Sequence, residues 1–108
     1  MGIRGARYLH VHVPCPLGWG TATDATLRVA RLAVECGLYP LFEAEHGHVT
    51  RSTPIRRREP VEAYLRLQLR FAHLFAGGNV DTERVAKLQA IADHNIERFR
   101  LESPAEAQ

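Results

Sequence analysis

At 108 residues, 45% hydrophobic and 24% charged, with 14 basic against 12 acidic side chains, the chain has the composition of one small soluble domain, neither disordered nor fibrous. A domain of this length buries roughly 65% of its unfolded surface, enough for a modest core without disulfide or metal staples. Two cysteines are too few for a disulfide scaffold, no apolar run approaches the ~20 residues of a membrane span, and a net charge of +2 does not by itself require nucleic acid. Residues 1–13 lack the long uncharged stretch of a secretory signal, so the expected location is the cytosol.

Residues 8–13, Tyr-Leu-His-Val-His-Val, alternate apolar and polar types and predict a first strand with one apolar face. That strand stops at Pro14-Cys15-Pro16-Leu17-Gly18-Trp19-Gly20, where prolines remove backbone donors and glycines permit unusual dihedrals, so a shaped loop is expected. Thr23 or Asp24 can cap a helix over residues 25–36, with Leu27, Ala30 and Val34 on one stripe and Gly37 as its stop. A second strand is expected over residues 38–45, Pro40 favouring its start or an edge. Strand, loop, helix and strand together read as a βαβ unit with parallel strands, which sets the Cys15 loop at the carboxyl end of the first strand. Ligand chemistry in open α/β sheets collects at such ends.

Residues 48–59 are polar and predict a loop or a short edge hairpin. Pro60 suits a first helical turn, and Val61, Tyr64, Leu65, Gln68, Ala72 and Phe75 recur at helical spacing until Gly77-Gly78. Asp81 is placed to cap a last helix whose Val85, Leu88, Ala92, Ile96 and Phe99 line up, and residues 103–108 read as a frayed tail. Two strands do not complete an α/β layer, so further strands are expected from another chain or from sequence upstream. The whole chain is then one partial domain.

A cysteine held between two prolines has its direction fixed by the backbone, which suits a thiolate ligand or nucleophile, although a buried structural cysteine is the plainer reading of that spacing. Beyond that motif, the order of further blocks matters. Residues 8–13, Pro14-Cys15-Pro16 with Gly18-Trp19, residues 30–35, residues 37–43, residues 60–65, Gln68, Arg70-Phe71 and His73-Leu74 resemble the carboxyl-terminal part of the thiamine-diphosphate-binding β subunit of pyruvate:ferredoxin oxidoreductases. The resemblance implies a partial thiamine-diphosphate-binding fold of the α/β class, a β-loop-α-β unit followed by two helices. It implies an enzyme that oxidatively decarboxylates a 2-oxoacid such as pyruvate on thiamine diphosphate with Mg2+. Electrons pass through [4Fe-4S] clusters to ferredoxin, and the acyl group goes to coenzyme A.

In that resemblance Cys15 takes the place of one [4Fe-4S] ligand, while Gly18 and Trp19 lie in the loop near the cofactor or cluster. Cys36 inherits no role, and Leu17 departs from the threonine common in the family's stretch. The family's other cluster cysteines and its Gly-Asp-Gly motif for magnesium and diphosphate do not occur here. The implied partners are therefore the missing amino-terminal region of the β subunit or α-, γ- and δ-type subunits, besides ferredoxin, and the chain alone is expected to be inactive. A cubane needs four protein ligands against the two cysteines present.

The pairs His10/His12 and His46/His48 could be imagined with Cys15 as a zinc or iron site, though alternating histidines more commonly make a polar strand face. Arg51 and residues 56–58 could steer an acidic electron carrier, the solvated loop being the simpler account. Trp19 suits either a cover over the Cys15 loop or a hydrophobic anchor. The alternative function is a non-catalytic module that binds a partner through its apolar helices, left by a broken gene.

Overall fold

The computed structural model describes residues 4–103, and its first regular element begins only after Cys15. A single turn, α1 (Pro16–Trp19), is followed by a 3-10 turn at Thr23–Ala25 and by α2 (Thr26–Glu35). Strands β1 (Phe42–Glu45) and β2 (His48–Ser52) come next, then α3 (Val61–Arg66), a 3-10 segment (Leu69–Gly78) and α4 (Thr82–Arg98). The expected mixture of helix and sheet is present, but its arrangement differs.

Residues 8–13 form no strand, and the sheet consists of β1 and β2 paired antiparallel. The expected parallel βαβ unit is therefore not formed among the described residues. The cause lies in the turn between the strands. His46 and Gly47 both take positive φ, 52° and 80°, the pattern of a two-residue hairpin turn whose twist matches antiparallel neighbours. β1 thus closes on the residues that follow it and begins at Phe42 rather than Leu38, so the hairpin joins residues 42–45 to 48–52 instead of lying within residues 48–59.

Three helices make the main core. Val29, Leu32, Ala33 and Cys36 recur at helical spacing and meet Val61, Tyr64 and Leu65 of α3, with Leu74 and Ala92 closing the cluster. The buried stripe of α2 is thus rotated from the expected one: Leu27 is 80% exposed, while Ala30 and Val34 are only half-buried. Those two line an open groove of about 270 Å³ with His10, Val11, His12, Tyr39 and Leu41. A second, smaller cluster joins Ile55, Ile96 and Leu101, and Phe99 beside it stacks on Phe42 at 4.4 Å, tying the hairpin to the end of α4.

The caps divide in the same way. Asp81 caps α4 as expected, its carboxylate accepting the Arg84 N–H at 3.1 Å, and Ala92 and Ile96 of the expected stripe are buried. Thr23 and Asp24 do not cap α2; they belong to the 3-10 turn, and Ala25 precedes the helix without a side-chain cap. Pro60 sits one residue outside α3, and the Val61 N–H donates instead to the Gln89 side chain at 3.0 Å.

The expected continuous helix from Val61 to Phe75 breaks at Gln68, whose backbone is extended (φ −126°, ψ 120°). The Gln68 amide Nε2, almost wholly buried, donates to the Tyr64 carbonyl at 2.9 Å, supplying from a side chain a donor that the continuing helix would have drawn from the backbone. The Leu69 N–H then leaves the helix and donates to the Gly20 carbonyl at 3.1 Å. Residues 104–108 of the expected tail lie outside the described residues. Among those described, no helix is long and apolar enough to cross a membrane.

Candidate functional site

The Cys15 turn is built from its prolines outward. Pro14 is buried, and Pro16 occupies the first position of α1, where its missing donor costs nothing. Cys15 between them is the N-cap: its carbonyl accepts from the Trp19 N–H at 2.9 Å and its Sγ from the Gly18 N–H at 3.4 Å. The Gly20 and Thr21 N–H groups both donate to the Pro16 carbonyl, at 2.9 and 3.1 Å, closing the turn. The sulfur is thereby exposed and fixed in direction by four successive residues.

Cys15 is not the buried structural cysteine of the plainer reading. That description belongs to Cys36, fully buried in the main core, whose thiol donates to the Ala33 carbonyl at 3.5 Å. Burial pushes the Cys36 thiol above its ordinary value and keeps it protonated.

The break at Gln68 delivers the far wall of the turn. Gly20 has φ 68°, and a Cβ there would stand 2.5 Å from the Cβ of Leu69, so both the backbone conformation and the close approach require glycine. One residue on, the Arg70 guanidinium lies 4.0 Å from the centre of the Trp19 ring. Its Nε donates to Gln68 Oε1 at 2.6 Å, and a further nitrogen donates to the Tyr64 hydroxyl at 3.4 Å. Trp19 also packs on the main core. It serves as an anchor for the turn, and Gln68, Leu69 and Arg70 are positioning residues whose part the sequence did not reveal. The one available signal was a glutamine in an otherwise apolar helix face.

The histidines of residues 8–13 turn their rings onto aromatics. His12 lies 4.7 Å from Tyr39 and 5.3 Å from Trp19, His10 lies 5.4 Å from Tyr39, and the Tyr39 hydroxyl donates to the His10 carbonyl at 2.8 Å. Burial first, then the charges of Arg70 and His10, hold His12 below its ordinary 6.5, and its Nε2 is buried without a hydrogen-bond partner among the described residues. No three of His, Cys, Asp or Glu converge as a metal site among the described residues. Of the basic loop, Arg57 pairs with Glu59 at 3.1 Å and Arg58 with Asp93.

The side of this region away from the core is apolar and open: Leu9, Val11, Val13 and Leu17 are 86%, 63%, 68% and 97% exposed. The exposed Cys15 thus stands beside an uncovered apolar face.

The chain is 48% identical over 102 residues to pyruvate synthase subunit PorB of Methanosarcina barkeri, an alignment covering 93% of this chain and 33% of that protein. It is 38% identical over 87 residues to subunit PorB of Methanocaldococcus jannaschii, with 81% and 28% covered. It is 40% identical over 74 residues to ketoisovalerate oxidoreductase subunit VorB of Pyrococcus abyssi, with 67% and 24% covered. No family model matches. The chain belongs with these PorB and VorB oxidoreductase subunits and spans about a third or less of the length of the relatives it matches.

Proposed function

We propose that this chain is the carboxyl-terminal part of the β subunit of a pyruvate:ferredoxin oxidoreductase, and that Cys15 is one thiolate ligand of a [4Fe-4S] cluster. The enzyme would convert pyruvate and coenzyme A to acetyl-CoA and CO2, reducing ferredoxin. The observation that carries the ligand assignment is the exposed Cys15 sulfur on a proline-flanked turn, beside an apolar face open to a neighbouring polypeptide. The donor set fits a shared cluster and no other kind: with Cys36 buried, this chain supplies one thiolate, so the remaining ligands come from outside it. The bound cluster supplies one-electron transfer. The chain's own part is to aim a sulfur, hold the Gly18 N–H against it, and keep the turn seated through Trp19 and Arg70; hydrogen bonds to a ligating sulfur tune the cluster's potential.

Thiamine diphosphate and Mg2+ would be held by the part of the subunit this chain does not span, with residues 8–13 joining its sheet and completing a cofactor domain of which residues 1–108 are one piece. Gly18 and Trp19 lie in the turn and would border the cluster rather than touch the diphosphate. Such a complex would work in the cytoplasm.

The test is anaerobic co-expression with the remaining two-thirds of the subunit and its partner subunits. Iron, sulfide and the cluster's visible absorption are expected in the assembly, to be reduced by Cys15→Ser, and absent from the chain alone. A stable cubane in the isolated chain, or an unaltered one after Cys15→Ser, overturns the proposal. Partner binding unchanged by Cys15→Ser with no thiamine-dependent activity in any assembly would favour a non-catalytic interaction module instead.

A further inference from the structure

The basic residues divide into those that are paired and those that are not. Arg57, Arg58, Arg66, Arg84 and Lys87 each meet a carboxylate. Arg51, Arg98 and Arg100 meet none within ion-pair distance among the described residues, and all three line one groove of about 490 Å³ between β2 and the turn that ends α4. Val49, Thr50, Ser52 and Phe99 complete its lining. Glu43 stands opposite Arg51 in the hairpin register, yet no carboxylate lines the groove.

Four successive residues of β2 border the groove, so it runs along the strand's outer edge, where side chains of both faces and the unpaired backbone meet it. The opposite wall is set by a Schellman turn: the Leu101 N–H donates to the Ile96 carbonyl at 2.9 Å and the Arg100 N–H to the Glu97 carbonyl at 3.3 Å. Arg100 occupies the left-handed position of that motif with φ 53°, where glycine is the cheaper residue. An arginine nevertheless occupies that position and lines the groove together with Arg51 and Arg98.

We propose that this groove binds the phosphate oxygens of a small diphosphate-bearing molecule. Guanidinium forks match phosphate oxygens in pairs, and the Ser52 hydroxyl adds a neutral donor beside them, the Thr50 hydroxyl being engaged with the Glu43 carbonyl at 3.3 Å. Phe99, stacked on Phe42, carries the Arg98 guanidinium over its ring at 5.1 Å and so holds that cation at the groove. The site lies on different elements from the Cys15 turn and does not depend on the cluster assignment.

The experiment is calorimetric titration of the full chain at physiological ionic strength with inorganic pyrophosphate and, separately, with ADP, which distinguishes an inorganic from an organic source. Saturable millimolar or tighter binding is expected for at least one probe, weakened about tenfold or more by Arg51→Gln and by Arg100→Gly. Arg100→Gly is also expected to raise the thermal midpoint, because glycine suits the left-handed position, so its loss of binding cannot be ascribed to unfolding. Arg84→Gln and Cys15→Ser should leave the affinity unchanged. Absence of millimolar binding of either probe, undiminished affinity in Arg100→Gly, or equal loss in Arg84→Gln overturns the proposal.

Discussion

The helical body and the arm that leads into it, residues 8–13, draw on the same apolar side chains and end in opposite states. Leu65 is 1% exposed, whereas Leu9 is 86% exposed. A helix satisfies its backbone internally and needs only a face to bury, which α2, α3 and α4 provide for one another. A strand needs a neighbour for its main chain as well as cover for its side chains, and among the described residues β1 and β2 pair only with each other, leaving residues 8–13 without a strand neighbour. The arm therefore uses one side, its histidine rings lying on Tyr39 and Trp19, and leaves Leu9, Val11 and Val13 in solvent.

That contrast is most open to challenge by side-chain truncation. Leu65→Ala should lower stability by about 3 kcal/mol in urea unfolding, while Leu9→Ala changes it by less than about 0.5 kcal/mol. Equal losses would break the comparison. The cysteines extend it: iodoacetamide should modify Cys15 on the order of 100-fold faster than Cys36, read site by site by mass spectrometry, because the buried thiol reacts only after opening. Comparable rates would mean that the core is loose.

At the joint between arm and body, Gly20→Ala should cost about 2 kcal/mol from its left-handed backbone and the collision with Leu69, measured as a lowered denaturation midpoint. Arg70→Leu should cost about 0.5–1 kcal/mol and shift the emission of Trp19, the single tryptophan, with Arg70→Lys recovering part of both. The smallest effect concerns pH. His12 is held below 6.5 in the fold, so the unfolded chain binds its proton first; stability is complete above 6.5 and erodes as pH falls through and below that value. His12→Gln should flatten this part of the stability profile, and an unchanged profile would remove His12 from the account.

Local signals were legible wherever the competing choice was also local. Asp81 as a cap, the glycines after Ala76 and the rigid presentation of Cys15 follow from near neighbours along the chain. The hairpin was legible only as a polar stretch at residues 48–59; its turn is His46-Gly47, which pairs residues 42–45 with 48–52 antiparallel where a parallel strand beside residues 8–13 was expected. The break at Gln68 was hidden because its cause is remote. It depends on Gly20 accepting the Leu69 N–H and on Trp19 receiving Arg70, contacts between segments that no helical period encodes. The rotation of the α2 stripe has a similar origin: Ala30 and Val34 face the arm, so their apolar character reports cover that the helical body does not supply.

The small cluster at the end of α4 has a consequence for proteolysis. Leu101 is 1% exposed and its carbonyl accepts the Ile55 N–H at 2.8 Å, so this one residue latches the segment after the hairpin to the last helix. The bond just before it follows Arg100, an exposed arginine and a trypsin cleavage point. A single cut there would free the latch, uncover Ile55 and Ile96, and let the hairpin swing away while the three-helix core stayed shut, so the survival of that peptide bond reports whether the hairpin is docked.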